Sequence, residues 1–272
     1  MSNSHTSFVG SIPETYHAHL GPLLFEPFAR DLVGRLKPSS REILELACGT
    51  GIVTRHLHER FGGAATIAAT DLNEGMLNQA RLNLGPVHGI TWQTADATAL
   101  PFPDRTFDTV VCQFGVMFFP DKPRAMREAF RVLKPGGQWL FNVWDSLAVN
   151  PVTRVVHETV ASHFETNPPN FYALVPFGFH DVATIRSLID AAGFQDVVID
   201  TVELESSGPS AEHVAKGLVC GSPLLLGIKE RGGDPEAITT AVAERLESTF
   251  GSRRVQATMQ AHVVAARRPA SR

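Results

Sequence analysis

The sequence predicts a doubly wound α/β fold: a mostly parallel sheet of seven strands, helices on both faces, an antiparallel last strand and helical lid elements. From about Ser40 onward, short apolar runs alternate with longer amphipathic segments. Alternating strands and helices imply right-handed crossover connections, which make neighbouring strands parallel and place helices over both faces of the sheet. Glycine and proline clusters between these segments mark where each element ends.

The short apolar runs define the strands. Each is bounded by turn-forming residues, as a strand buried within a sheet requires. The predicted strands are residues 43–47, 66–70, 90–94, 109–114, 138–144, 197–204 and 255–265.

The amphipathic segments between these runs define the helices, at residues 53–61, 74–84, 122–133 and 182–192. Lys134-Pro135-Gly136-Gly137 ends the third of them, because proline cannot continue a helix and glycine turns freely. Gly193 ends the fourth in a similar way. Two further helices lie outside the alternating core, at about residues 24–36 and 152–164.

The end of the chain departs from the alternation. Between the last two predicted strands lie Pro209, Pro223 and the break Gly232-Gly233-Asp234-Pro235. We therefore expect the final strand to return antiparallel, at or near an edge of the sheet.

Composition excludes several classes of protein. The net charge is −4 and the basic residues are scattered, so the sequence predicts no nucleic-acid partner. It contains no signal-peptide pattern and no run of about 18 apolar residues, which predicts no membrane partner. Cys48, Cys112 and Cys220 are too far apart for a disulfide framework, so we expect a reducing, cytoplasmic location.

Histidine spacing argues against a metal site. His17 and His19 are two residues apart, as are His56 and His58, so on a helix the two side chains of each pair diverge. No His-Glu-x-x-His motif is present. The sequence predicts no metal.

The stretch "ELACGTG" places two glycines directly after the first predicted strand, where a doubly wound sheet binds its ligand. A nucleoside triphosphate loop would need a Gly-Lys-Ser/Thr sequence, and none follows. A dinucleotide site prefers a third glycine where Thr54 stands. Glu45 disfavours a dinucleotide more strongly, because a carboxylate within the strand needs a cationic or hydrogen-bond-donating ligand group.

Four ordered motifs between about residues 42 and 145 resemble the class I S-adenosylmethionine-dependent methyltransferases, particularly the small-molecule branch that includes the ubiquinone and menaquinone enzymes. "ILELACGTG" resembles the first motif and "ATDLNEGMLNQAR" the second. "TADATALPFPDRTFDTVVCQFGVMFF" resembles the third and fourth, and "FRVLKPGGQWLF" the helix, turn and strand that follow. The resemblance implies a Rossmann-like methyltransferase fold, S-adenosylmethionine as cofactor and S-adenosylhomocysteine as product.

The resemblance also implies roles for individual residues. Asp71 follows the second strand about 20 residues after Gly51, the separation at which a carboxylate reaches ribose hydroxyls. Leu72 and Met76 would enclose the adenine, Asp96 and Ala97 would bind its amino group, and Gln113 would lie near the sulfonium or the amino acid tail. The predicted cofactor-binding residues are Glu45, Ala47, Gly49, Thr50, Gly51, Asp71, Leu72, Met76, Asp96, Ala97 and Gln113.

A catalytic base is optional, because a sulfonium methyl is already electrophilic and needs mainly alignment and exclusion of water. Tyr16 and His19 are the predicted catalytic residues. The resemblance implies that an aromatic residue near the N-terminal helix closes over the cofactor, and Tyr16 fits that role best, whereas His19 is a candidate base for a carbon or alcohol acceptor. The other candidates are His17, Trp144, Asp145 and His157.

The sequence predicts a small, partly apolar or aromatic methyl acceptor that reacts through O, N or C. The apolar segments "NFYALVPFGF" and "GLVCGSPLLLGI" suggest a lid over such a molecule, and such segments also occur as ordinary helix cores or as the surface of a homodimer. We expect a single domain, with an N-terminal helical cover (1–39), a cofactor-binding core (40–145) and an acceptor-side segment (146–272). Two alternatives stay open: an inactive protein that binds adenosyl ligands, and an NAD-dependent oxidoreductase.

Overall fold

The computed structural model describes residue 8, residues 10–251 and residues 253–270. The predicted N-terminal cover includes residues 1–7 and 9, which lie outside the described residues.

The seven strands form one sheet in the order β3-β2-β1-β4-β5-β7-β6. Pairing is parallel from β3 through β5, whereas β7 pairs antiparallel with β5. This confirms the predicted doubly wound sheet with an antiparallel last strand. In chain order the strands are Glu42–Glu45 (β1), Thr66–Asp71 (β2), Ile90–Thr94 (β3), Phe107–Gln113 (β4), Leu133–Trp144 (β5), Gln195–Gly208 (β6) and Val255–Arg267 (β7).

The α-helices are Ile12–Thr15 (α1), Glu26–Gly34 (α2), Ile52–Phe61 (α3), Glu74–Leu84 (α4), Lys122–Val132 (α5), Pro151–Ser162 (α6), Phe171–Leu174 (α7), Val182–Ala191 (α8), Ala211–Cys220 (α9), Leu224–Glu230 (α10) and Pro235–Phe250 (α11). Within the described ranges, none of these helices is long and apolar enough to cross a bilayer.

The chain divides into two compact units. Unit 1 comprises the described parts of Met1–Pro27, together with Asp145–Gly178 and Glu203–Gln260. Unit 2 comprises Phe28–Trp144, Phe179–Val202 and the described part of Ala261–Arg272. The expected single domain and its three-part division stay predictions.

The core of unit 2 surrounds the central strands. Leu44 in β1, Val110 in β4 and Phe141 in β5 are all fully buried. Such near-continuous apolar strands are typical of a parallel sheet covered on both faces. The strand order reverses between β1 and β4, so the carboxyl ends of these two strands border the crevice where open α/β sheets bind ligands.

The N-terminal region differs from the predicted helix at residues 24–36. A π-helix covers Tyr16–Phe25 and runs directly into α2. It contains Pro22, which has no amide hydrogen and whose ring opposes ordinary α-helical bonding. The wider spacing of a π-helix accommodates this residue, as the bond from the Glu26 amide to the Gly21 carbonyl illustrates.

Candidate active site

The glycine turn connects β1 to α3 and leaves room on one side. Gly49 and Gly51 both have positive φ, at +55° and +86°. A Cβ atom at Gly51 would lie 2.9 Å from Leu84 Cδ1, so this glycine permits close helix packing. A Cβ atom at Gly49 would meet no atom of the described residues within 4 Å. Gly49 therefore borders open space at the carboxyl end of β1.

Glu45 ends β1 and is almost completely buried, at 1% exposure. Its Oε2 accepts a hydrogen bond of 2.6 Å from Thr54 Oγ1 in α3. Burial raises the pKa of Glu45 to about 8, and the nearby Asp71 carboxylate also raises it. Glu45 is therefore mostly protonated at neutral pH, and a cationic group beside it would favour its ionised form.

Asp71 ends β2 and connects the glycine turn to the start of α4. Its Oδ2 accepts from the Gly49 amide at 2.9 Å, and its Oδ1 accepts from the Asn73 amide at 2.8 Å. Burial raises the pKa of Asp71, and these two amides partly offset that effect, with smaller contributions from the Asn73 side chain and the Leu72 amide. A carboxylate has about four acceptor positions, so each oxygen can still accept a hydrogen bond from a ligand hydroxyl.

Leu72 and Met76 differ in exposure. Leu72 is 55% exposed directly after Asp71, whereas Met76 is buried in α4. Only Leu72 offers apolar surface to a ligand without rearrangement. The predicted enclosure of an adenine by both residues stays a prediction.

Asp96 and Ala97 lie in the turn after β3. Asp96 Oδ1 accepts from both the amide and the hydroxyl of Thr98, at 2.8 Å each. This oxygen therefore caps a turn, and the second carboxylate oxygen carries the remaining capacity for a ligand. Asp96 is exposed and Ala97 is half-buried.

The end of β4 is held by an asparagine that sequence reasoning did not single out. Gln113 is half-buried and pairs in register with Asn142 of β5. The next residue, Phe114, has φ +49°, which is uncommon for a residue other than glycine. Asn142 accepts from the Phe114 amide through both its carbonyl and its Oδ1. A polar residue inside the apolar run "WLFNVW" is the signal that could have revealed it.

The tips of β1 and β4 touch each other. Ala47, in the glycine turn, has φ +52°. A Cβ atom at Gly115 would lie only 2.5 Å from Ala47 Cβ and 2.7 Å from Cys112 Sγ. Only glycine fits at position 115 without displacing the turn. Ala47 and Phe114 therefore place left-handed, strained backbone where the strand order reverses between β1 and β4. Functional sites commonly lie at such a position.

The predicted catalytic residues belong to unit 1, whereas the predicted cofactor-binding residues belong to unit 2. Tyr16 stacks on Phe25 with ring centroids 4.8 Å apart. His19 Nδ1 lies 3.2 Å from the His213 carbonyl oxygen, and the two imidazole rings are 4.1 Å apart. Burial, followed by the neighbouring His213, lowers the pKa of His19. Catalytic roles for Tyr16 and His19 stay predictions.

The other catalytic candidates have structural surroundings. Trp144 is buried and stacks on Phe114, with centroids 3.8 Å apart. Burial lowers the pKa of His157 in α6. Across the described residues, no group of three or more His, Cys, Asp or Glu side chains is arranged to hold a metal ion.

Part of the chain matches a known protein family. Residues 43–137 match the family model described as "Methyltransferase domain". The chain is 38% identical over 117 residues to the ubiquinone/menaquinone biosynthesis C-methyltransferase UbiE of Pasteurella multocida. That alignment covers 42% of this chain and 44% of the relative, so the chain spans less than half of the relative's length.

Two solved structures show the same fold at low sequence identity. One is the [4+2]-cyclase SpnF, with a TM-score of 0.58 and 20% identity over 90% of this chain and 82% of that chain. The other is a Haemonchus contortus phosphoethanolamine N-methyltransferase 2 in complex with S-adenosyl-L-methionine. Its TM-score is 0.58, with 16% identity over 94% of this chain and 56% of that chain.

The family match, the sheet order and the four motifs agree on one assignment. They favour a methyl donor over the dinucleotide alternative, because the matched family is a methyltransferase family. The chain therefore carries a class I S-adenosylmethionine-dependent methyltransferase domain.

Proposed function

We propose that this protein transfers the methyl group of S-adenosylmethionine to an O, N or C atom of a small, partly apolar or aromatic molecule. The observation that carries the proposal is the placement of Glu45, Gly49 and Asp71 at the carboxyl ends of β1 and β2. These three residues combine a buried acid, an open glycine backbone and a partly unused carboxylate. The similarity to a C-methyltransferase over 117 residues supports the same activity.

The residues present fit the cofactor by their chemistry. The remaining acceptor capacity of the Asp71 carboxylate suits the hydroxyls of a ribose. The buried Glu45 suits the ammonium group of the cofactor's amino acid end, because a positive charge there offsets the cost of ionising a buried carboxyl. Exposed Leu72 suits the face of the adenine.

Once bound, S-adenosylmethionine supplies an electrophilic methyl group on a sulfonium. The protein's task is to orient the acceptor and exclude water. In this proposal Gln113, held next to Asn142 in the sheet, lies near the amino acid end of the cofactor. Tyr16 and His19 are the proposed residues that orient the acceptor or remove its proton, which a carbon or alcohol acceptor requires.

The test is calorimetric titration of the purified protein with S-adenosylmethionine, S-adenosylhomocysteine and NAD in parallel. The proposal requires that both adenosyl ligands bind and that NAD does not. Binding of NAD alone, or of none of the three, would overturn it. Adenosyl binding without methyl transfer to any member of a broad panel of small phenols, carboxylic acids and amines would favour the inactive alternative.

The acceptor roles have their own test, on any substrate that this panel finds. Tyr16→Phe and His19→Ala should lower kcat while cofactor affinity stays unchanged. If both variants retain full turnover, neither residue takes part in transfer.

A further inference from the structure

Lys122 places a half-buried positive charge at the ligand-binding edge of unit 2. It is the first residue of α5, which follows the carboxyl end of β4. Its Nζ donates to the Phe119 carbonyl at 3.1 Å and lies 5.1 Å from the centroid of the Phe179 ring. The Phe119 carbonyl, the Lys122 ammonium and the Phe179 ring form what we call the Lys122 cluster.

The Lys122 cluster lies beside the strained end of β4. Residues Val116–Phe118 form a short 3₁₀-helix between that end and the cluster. In this segment the Met117 sulfur accepts from the Trp144 amide at the carboxyl end of β5. The connection that carries Phe119 and Lys122 is therefore fixed to the ends of β4 and β5, the edge where ligands of α/β sheets bind.

The Lys122 ammonium forms no ion pair within the described residues. In the parts of the chain that the structure describes, no carboxylate lies within the 4.0 Å of an ion pair with Lys122. Burial lowers the pKa of its ammonium. Arg131, on the same helix, shows the usual alternative, because it forms ion pairs of 2.8 Å with both Asp104 and Glu128.

Two carboxylates close to Lys122 and Phe179 in the sequence are helix N-caps. Asp121 caps α5 by accepting from the Arg124 amide at 2.9 Å. Asp181 caps α8 by accepting from the Thr184 amide at 2.7 Å. Neither forms an ion pair with Lys122 within the described residues.

The Lys122 ammonium has three donors, and its contacts are one hydrogen bond of 3.1 Å and the face of the Phe179 ring. A half-buried ammonium with donors to spare favours an anion, because desolvating a cation without a counter-charge is costly. The adjoining Phe179 ring provides apolar contact for the body of a ligand. These features together fit a carboxylate carried on an aromatic or apolar body.

We propose that the Lys122 ammonium binds a carboxylate of the methyl acceptor, so that the acceptor is an aromatic or apolar carboxylic acid anchored against Phe179. This inference rests on the proposed methyltransferase function and narrows its substrate class. Lys122 is a specificity-determining residue in this proposal, not a base.

The experiment compares benzoate with its neutral analogue benzamide by calorimetric titration, with and without saturating S-adenosylhomocysteine. A charge-assisted hydrogen bond contributes about 1.5–3 kcal/mol, so the unsubstituted protein should bind benzoate at least about tenfold more tightly than benzamide. Lys122→Met should remove this preference and Lys122→Arg should keep most of it. Lys229→Met, at an exposed position in α10, is the matched control and should keep all of it.

Two results would overturn the inference: equal binding of benzoate and benzamide by the unsubstituted protein, or an unchanged preference in Lys122→Met. If Lys122→Met does not fold, lysine methylation with a ¹³C label offers a second measurement. The signal of methylated Lys122 is identified as the one missing from the spectrum of Lys122→Arg. This signal should shift when benzoate is added and stay fixed when benzamide is added; a fixed signal in both titrations overturns the inference. The titrations without S-adenosylhomocysteine measure the benzoate preference independently of the cofactor, so a failure of cofactor binding can be distinguished from a failure of this inference.

Discussion

Asn142 binds the backbone amide of Phe114 through two acceptors, its own carbonyl at 3.2 Å and its side-chain Oδ1 at 2.9 Å. Phe114 thereby keeps a left-handed φ of +49° and stacks on Trp144. The hydrogen bonds and the ring stacking offset the backbone strain at the end of β4. Residue 114 therefore combines a backbone that suits glycine with a side chain that contributes to the core.

These two demands make a prediction about substitutions at position 114. Phe114→Ala and Phe114→Gly both lose the ring stack and should both destabilise the protein, by about 3–5 kcal/mol for the alanine variant. Glycine relieves the left-handed strain that alanine keeps, so Phe114→Gly should be the more stable of the two by about 1 kcal/mol. Urea unfolding of both variants measures the difference. An alanine variant at least as stable as the glycine variant would show that the backbone at 114 is unstrained.

Gly49 should be required for cofactor binding rather than for folding. A methyl group at Gly49 meets no atom of the described residues within 4 Å, so Gly49→Ala should cost only the strain of a positive φ, about 1–2 kcal/mol. In the proposed complex that methyl group occupies space next to the ligand, so S-adenosylhomocysteine should bind at least about tenfold more weakly. Calorimetry measures the binding and thermal unfolding measures the stability.

Gly62→Ala is the matched control for Gly49→Ala. Gly62 also has a positive φ, at +52°, and open space around its Cβ position. It lies at the opposite end of α3 from the glycine turn. Gly62→Ala should therefore lose stability but keep its affinity for S-adenosylhomocysteine. Equal affinities for the two alanine variants would remove Gly49 from the site.

Local pattern predicted the secondary structure well where an element depends mainly on its own residues. The predicted bounds of β3 and α4 are those observed, and the end of α5 before Gly136 is confirmed. The π-helix at Tyr16–Phe25 was not predicted, because its register depends on hydrogen-bond spacing around Pro22 and not on hydrophobic periodicity. The helices α9, α10 and α11 were not predicted; only the proline and glycine residues that separate them were identified.

In the candidate site, too, some residues could be predicted from the sequence and others could not. The motif glycines and Asp71 could be found from sequence because their chemistry is tied to short, ordered spacings. Asn142 and Lys122 could not, since their roles depend on contacts with residues distant in the chain. Asn142 accepts a hydrogen bond from the Phe114 amide because β4 pairs with β5. Lys122, the first residue of α5, contacts the ring of Phe179, which lies shortly before α8.

Asp71 should contribute to cofactor affinity through hydrogen bonds that an amide cannot fully replace. Asp71→Asn keeps the size of the side chain but loses the negative charge and part of the acceptor capacity. Binding of S-adenosylhomocysteine should weaken by about 1–3 kcal/mol. The variant also weakens the bonds to the Gly49 and Asn73 amides, so its stability must be measured beside its affinity. Unchanged affinity in a folded variant would exclude Asp71 from the ribose site.

Glu45 should make the protein less stable as pH rises from about 4.5 to about 8. Its pKa is about 8 in the folded protein against 4.5 without the fold, so the folded state retains a proton that the unfolded state has lost. Its stabilising contribution is complete below the unfolded pKa and is lost as pH rises through the folded pKa. Within this window the slope should approach about 1.4 kcal/mol per pH unit. Glu45→Gln, which has no proton to lose there, should show a flatter profile in urea unfolding, and equal slopes would contradict the raised pKa.

The same carboxyl makes a separate prediction about binding. The ammonium group of the amino acid end, placed beside Glu45, favours the ionised form of this carboxyl, so S-adenosylhomocysteine should release a proton from Glu45 when it binds near pH 7. Calorimetry in two buffers of different ionisation enthalpy measures this release as a difference in apparent binding enthalpy.

Thr54→Val tests the same carboxylate through its hydrogen bond. The variant lacks the hydroxyl that donates to Glu45 Oε2 and should weaken binding, because the ionised carboxylate then loses its only side-chain donor among the described residues. Glu45→Gln should abolish the proton release. If Glu45→Gln and the unsubstituted protein release the same number of protons, the proton comes from another group, and Glu45 does not lie beside the ammonium group of the cofactor.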